Sequence, residues 1–254
     1  EILETIPCDD LPNVREYALP GACQPKGIAR TTGGMVMTYN TETFAGNEPQ
    51  TWADFWDTET FPGPRGLPDT GDRDWWLPTV ALLADGVAKE DLYPLDLDRA
   101  YAKLDEIKPH IAVWWKTGNQ VQQIMRDNEV ALTMAYSGRA LKVIQDGSPF
   151  AMAWDGAIRD TGYLAVLKNS PNTEGAMKFI DFFYGSAEGH PGFIQAVGYA
   201  TSSTIGLSQL PEEEQKLYAT YPANYELLVD PDFEWIGAHR DELRERWTNW
   251  LPQK

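Results

Sequence analysis

An arginine and an aspartate stand side by side, Arg159 and Asp160, directly before the apolar run 163–167. A guanidinium grips a carboxylate through two parallel hydrogen bonds, and a carboxylate takes an ammonium, so such a pair suits a small molecule carrying both charges. Arg139 adds a second guanidinium just after another apolar stretch, "VALTMAYSG". Each arginine has a plainer alternative: Arg139 opens the segment "GRALKVIQDG" and can salt-bridge a surface acid, while Arg159 can pair with Asp155. The adjacent pairs Trp75-Trp76 and Trp114-Trp115 let one ring of each face a core while its neighbour faces a cleft or solvent. Trp76 is a binding candidate through its place after "DTGDRD", where a helix is expected to start. For Trp52, Trp56, Trp235, Trp247 and Trp250, packing on helix faces is the expected role.

These groups need elements to hold them. The run Tyr163, Leu164, Ala165, Val166, Leu167 fits a strand covered on both faces. Asn172 or Thr173 can cap the helix that follows, in which Ala176, Met177, Phe179, Ile180 and Phe183 recur at helical spacing. A buried strand running into a helix predicts an α/β sheet and puts Arg159 and Asp160 at the strand's start, on a sheet rim of the kind that holds ligands. The alternation recurs along the chain. "GGMVMTYN" reads as a strand and "TWADFWD" as a helix capped by Thr51, with Trp52, Phe55 and Trp56 inward. Pro62, Gly63, Pro64, Gly66 and Pro68 break the chain before "DTGDRDWWLPTVALLADG", a loop and then a helix. "DLDRAYAKLDEIKPHI" is amphipathic, with Ala100, Leu104 and Ile107 on one face, and ends at Pro109. "AVWWKTG" as strand and turn, "NQVQQIMRDNE" as helix and "VALTMAYSG" as buried strand complete a βαβ grammar. The stretch 211–251 reads as charged, Trp-bearing surface helices.

With 254 residues, 43% of them hydrophobic, the chain can bury two modest cores. A formal net charge of -17 argues against a nucleic-acid partner or an anionic membrane surface. No apolar run approaches the roughly 20 residues that span a bilayer. The start "EILETIPCDD" lacks a basic region followed by an apolar one, so an export signal is expected to be absent from this chain. Cys8 and Cys23 share the Pro-rich segment "PCDDLPNVREYALPGACQP", which is compatible with one disulfide and an oxidising compartment; two unrelated buried thiols are the alternative. His110, His190 and His239 show no ligand-like spacing, so no metal and no cofactor is expected. An enzyme would be a different class. Asp69, Asp72 and Asp74 among tryptophans suggest a glycosidase acid pair, but carboxylates this close on one loop rarely flank a substrate from opposite sides. No G-x-S-x-G elbow, phosphate-binding Gly loop or Cys-His pair is present, and a non-catalytic chain is expected.

Four blocks, "PQTWADFWD", "WWKTGNQVQQIMRDNEVALTMAYSGRA", "DTGYLAVLKNSPNTEGAMKFIDFFYG" and "GYATSS", resemble in order and spacing the extracellular solute-binding proteins of ABC importers, in the spermidine/putrescine-binding group. The resemblance runs from about Lys26 onward. It implies a type II periplasmic-binding-protein-like α/β fold of two lobes joined by crossing strands and closing on a small-molecule solute, with importer permease subunits as partners. It also implies a periplasmic or extracellular location. Family members carry an N-terminal portion of lobe 1 that has no match here, so lobe 1 is expected to be incomplete, with residues 1–40 and 162–208 in lobe 1 and 41–161 and 209–254 in lobe 2. An incomplete lobe would leave an open sheet edge that invites association with another chain.

Polyamine binders of this group use acidic residues for ammonium groups and aromatic rings for the methylene chain. The resemblance assigns the ring positions to Tyr136 in "YSGRA" and Tyr199 in "GYATSS". It favours Trp115, with Thr117 and Gln120 behind it, in "WWKTGNQ". The helix-start acid corresponds to the neighbourhood of Asp72, Arg73 and Asp74, and the acid before the return strand falls nearest Asp160, with Gly162 at the strict position. Arg139 and Arg159 depart from a pure polyamine site and point to an ω-amino acid such as γ-aminobutyrate. A small anionic solute is the alternative.

Overall fold

A computed structural model describes residues 2–71 and 74–251. In chain order its strands are β1 (Cys23–Gln24), β2 (Gly27–Asn40), β3 (Arg65–Pro68), β4 (Ile111–Trp115), β5 (Leu132–Tyr136), β6 (Phe150–Leu164) and β7 (Ala200–Thr201). The helices of the first two thirds are α1 (Pro12–Tyr17), α2 (Trp52–Trp56), α3 (Trp76–Ala84), α4 (Leu97–Ile107), α5 (Gly118–Arg126) and α6 (Ser137–Gln145). After β6 come α7 (Thr173–Gly185), α8 (His190–Val197), α9 (Thr204–Leu207), α10 (Glu212–Gln215), α11 (Pro222–Tyr225), α12 (Phe233–Ala238) and α13 (Arg240–Trp250). The chain divides into two compact units: unit 1 holds Glu1–Gly34 and Asp160–Glu226, and unit 2 holds Met35–Arg159 and Leu227–Lys254. Two of the three crossings fall inside strands β2 and β6. The bounds differ from the expected lobes chiefly in 209–226, which belongs to unit 1. There Asn224 Nδ2 donates to the carbonyls of Lys216 and Tyr218, tying that stretch to itself.

Unit 2 is an α/β layer structure. The second half of β2 lies antiparallel to β5, from Met35 opposite Tyr136 to Tyr39 opposite Leu132. β5 runs parallel to β3, and β3 to β4. β5 is therefore a central strand, and its Leu132, Thr133, Met134 and Ala135 are all buried, as a continuous apolar run predicts. Thr51 caps α2 in a reciprocal box with Asp54, and α4 turns Ala100, Leu104 and Ile107 into the core. Arg65, 1% exposed, donates to the carbonyls of Phe55, Asp57, Phe61 and Gly63, so one buried guanidinium fixes the loop that leads into β3. Burial lowers its pKa, opposed by the nearby Asp57 carboxylate. Gly66 permits the sheet to close here: a Cβ would lie 2.7 Å from Thr133 Oγ1, which instead donates to the Gly66 carbonyl.

In unit 1 the first half of β2 pairs with β1, β6 and β7. α7 packs Ile180 and Tyr184 with Ile6, Val14, Ile28 and Val166 in a separate small core. Asn172 caps α7 by accepting from Gly175 N, as expected of one of the two candidates. Cys8 and Cys23 form the disulfide, with Cα atoms 6.1 Å apart.

Two expectations require correction. Arg159 and Asp160 do not open a strand: β6 starts at Phe150 and passes through both. The polar, Gly-containing approach hid this, because Gly156 adopts φ +69 where the strand crosses Trp52, and a Cβ there would stand 2.9 Å from the indole. Nor is the run 163–167 covered on both faces. Leu164 and Val166 pack in the small core, whereas Tyr163 and Leu167 are 48% and 61% exposed. β6 ends at Leu164, and 166–168 continue only as a short antiparallel pairing with 2–4, through Glu4 N to Val166 O and Lys168 N to Ile2 O. Burial therefore follows the period of two of an extended chain with one covered face. No described helix is long and apolar enough to cross a membrane.

Candidate functional site at the strand ends of unit 2

Strands β3, β4 and β5 are mutually parallel and each leads into a helix, α3, α5 and α6 respectively. Their carboxyl ends and the three helix N-termini consequently share one rim, the position where an open α/β sheet offers unpaired N–H groups to a ligand. Tyr136 closes β5 there. Its ring stands 5.5 Å from Trp76 and 5.8 Å from Trp115. Beneath it both indoles are buried, at 1% and 0% exposure, and Trp115 Nε1 donates to the Met134 carbonyl. Trp76 and Trp115 are thus not open binding faces but the floor that sets the Tyr136 ring. The adjacent rings divide as alternation along a strand demands, with Trp114 packing on Trp247 and Trp250 instead.

Thr117 and Gln120 also work locally. Thr117 Oγ1 accepts from Gln120 N, and Gln120 Oε1 accepts from Lys116 N, a reciprocal cap that fixes the start of α5. Asp69, after β3, binds Lys116 Nζ at 3.3 Å and accepts from Trp247 Nε1, tying the β3 and β4 loops together. Asp72 and Arg73, expected at the site, lie outside the described residues. A small pocket is lined by Pro68, Thr70, Gly71, Asp74, Leu77 and Trp247.

Arg139 differs from the paired charges Asp69 and Lys116. It lies in the first turn of α6, is exposed, and among the described residues no carboxylate pairs with it. Its side chain crosses the first residue of α5: a Cβ on Gly118 would come within 3.0 Å of Nε, 3.4 Å of Cγ and 3.6 Å of Cδ. Gln122 Nε2 donates to the Arg139 carbonyl and joins the two helices. A guanidinium thereby sits beside the N-terminal turns of two helices, where backbone dipoles add to its positive potential. Among the described residues, the plainer alternative of a surface salt bridge is not formed at Arg139.

Arg159 is different: its Nε meets Asp230 at 2.7 Å, not Asp155, and its backbone N donates to Val229. Asp160 lies in the part of β6 that belongs to unit 1, as does Tyr199, half-buried just before β7. Asp230, Gly118 and Phe233 were not singled out by sequence reasoning. The short apolar run 227–229 ahead of Asp-Pro-Asp carried a strand-then-cap signal that locates Asp230 and Phe233. Val229 pairs in parallel with Ile158, and Asp232 caps α12.

The model of the bacterial extracellular solute-binding protein family matches residues 7–226, and the chain belongs to that family. It is 38% identical over 237 residues to the gamma-aminobutyric acid-binding protein of Pseudomonas aeruginosa, covering 91% of this chain and 66% of that one. It is 25% identical to a spermidine/putrescine-binding periplasmic protein of Haemophilus influenzae, over 82% of this chain and 54% of that one. The chain therefore spans between about half and two thirds of the length of these relatives. The solved structure of an ABC transporter substrate-binding protein from Bradyrhizobium japonicum superimposes with a TM-score of 0.88 at 30% identity, covering 99% of this chain and 77% of that one.

Proposed function

We propose that the protein is the non-catalytic receptor of an ABC importer, working in the periplasm or outside the cell and delivering its solute to permease subunits. The solute is a small ω-amino acid of the γ-aminobutyrate type. Its carboxylate is held by Arg139 at the first turns of α5 and α6 and its hydrocarbon stem lies against Tyr136, while Asp160 and Tyr199, assigned from the sequence, are the candidates for its amino group and for a further ring. Arg159, held by Asp230, supports the backbone next to Asp160 rather than the carboxylate. The observation that carries the reading is the exposed Arg139 guanidinium laid across Gly118 without a carboxylate among the described residues. A diamine has no use for such a group, whereas a carboxylate gains two charge-assisted hydrogen bonds from it. The identity to a gamma-aminobutyric acid-binding protein supports the same choice.

Calorimetric titration with γ-aminobutyrate, putrescine and succinate tests it. Binding of γ-aminobutyrate is expected, with a loss of about 2 to 5 kcal/mol in Arg139→Ala and in Asp160→Asn, since each leaves one charged end of the ligand unpaired. Tight putrescine binding that survives Arg139→Ala would overturn the assignment in favour of a polyamine. Succinate binding indifferent to Asp160→Asn would overturn it in favour of an anion.

A further inference from the structure

The segment that returns to unit 2 sets against Trp75, the N-cap of α3, one aromatic residue that the ligand assignment above does not use. Phe233 is 56% exposed, and its ring stands edge-on to Trp75, centroids 6.0 Å apart at 84°, while Trp75 itself is buried. Trp75 touches Trp76, which touches Tyr136, so Phe233 continues the aromatic row from the proposed stem position outward. A large exposed ring is commonly mobile, but the backbone beneath this one is fixed from both sides. Across it, Asp232 accepts from Trp235 N, and after it Trp235 stacks on His239 at 4.2 Å and meets Tyr93 at 5.7 Å, and Ile236 is buried. Before it, Asp230 holds Arg159 and Val229 pairs with Ile158. Phe233 thus occupies the stretch of chain between the carboxylate that anchors Arg159 and the ring row that ends at Tyr136.

We propose that Phe233 is a specificity-determining residue of the solute site, an apolar wall that reads the length of the solute's hydrocarbon stem. The proposal rests on the receptor reading above. A solute with charged ends and a methylene stem needs apolar surface between its charge partners, and at this rim Trp76 and Trp115 are buried under Tyr136. A ring already held in place costs little further ordering when it is covered, so its buried area converts efficiently into affinity. Each methylene that reaches the ring adds a discrete increment, which makes the contact sensitive to stem length.

Titration of β-alanine, γ-aminobutyrate and 5-aminovalerate into the protein and into Phe233→Ala and Phe233→Leu tests the idea, with melting temperatures recorded alongside. Phe233→Ala is expected to weaken γ-aminobutyrate about tenfold, 5-aminovalerate more and β-alanine less, with Phe233→Leu between and the melting temperature unchanged. Equal losses for all three solutes together with a lowered melting temperature would show that Phe233 only props Trp75, and would overturn the proposal. Unchanged affinities in Phe233→Ala, with γ-aminobutyrate binding abolished in Arg139→Ala, would overturn it and leave the receptor reading standing. No binding of any of the three by the unmodified protein would overturn both.

Discussion

Gly118→Ala separates the stability of the site from its function. Gly118 is the first residue of α5 and does not adopt a positive φ, so alanine is conformationally permitted there. On helix propensity alone the substitution stabilises by about 0.5 kcal/mol, since a first-turn position realises part of the Gly-to-Ala gain. The added methyl, however, meets Arg139 Nε at 3.0 Å and Cγ at 3.4 Å, closer than carbon rests against its neighbours. Arg139 is long and exposed, so it moves aside at little steric cost. That movement is the point of the substitution: a bidentate grip on a carboxylate tolerates little displacement. The expected loss in affinity for an ω-amino acid is about 1 kcal/mol, roughly fivefold in Kd. Calorimetric titration gives the affinity and a thermal melt gives the stability. Full affinity in Gly118→Ala, alongside loss of binding in Arg139→Ala, would refute the placement of the guanidinium across Gly118 as its working position.

Two further outcomes concern unit 1. Reducing the Cys8–Cys23 disulfide should lower its stability by about 3 kcal/mol, the loop-closure value for a separation of 15, measured as the shift in a denaturant midpoint with and without reductant; an unchanged midpoint would mean that the reduced unfolded state is already constrained. His190 is buried, and burial holds its imidazole below the ordinary value of 6.5, partly offset by its contact with the Tyr184 carbonyl. The unfolded chain then binds a proton that the folded chain refuses, so this contribution is complete above 6.5 and declines as the pH falls from there toward the folded value. Stability measured across that window should fall, and His190→Gln should flatten the slope; an equal slope in both proteins would exclude His190 as its source.

The parts of this chain that were legible in its sequence are those in which local signals agree with packing. Thr51 and Asp54 form a complete cap, Ala100, Leu104 and Ile107 share one helix face, and the apolar residues of β5 are central in the sheet. What stayed hidden depends on partners distant along the chain. Gly156 reads as a loop residue until Trp52 is placed against it, and only then does its φ of +69 become part of a strand. The adjacent tryptophans left two solutions each, and the choice of Trp115 as the inward ring is made by the Met134 carbonyl, which no pattern around Trp115 announces. Phe233 lacks a periodic signal because its neighbour Trp75 lies on another segment. Arg139 was legible as a residue type but not as a state, since whether an arginine salt-bridges or stays available depends on the acids that surround it.

The proposed assignment also has to account for how so acidic a protein selects a carboxylate. With 38 acidic and 21 basic residues, the chain's overall field favours cations and opposes anions. A dication gains from that field anywhere on the surface, and a dianion loses everywhere. A zwitterion has no net charge on which the field can act, so its binding is decided by groups within a few ångströms of each end. Exposed charges farther apart than about 10 Å are screened in ordinary salt, which confines the decision to the rim itself. There, Arg139 beside two helix N-termini locally opposes the global imbalance, and Asp69, on the β3 loop, is engaged by Lys116 and Trp247. Under the proposed assignment, an acidic protein with the Arg139 guanidinium at its strand ends discriminates against both purely anionic and purely cationic solutes: its field opposes the first, and Arg139 repels the second.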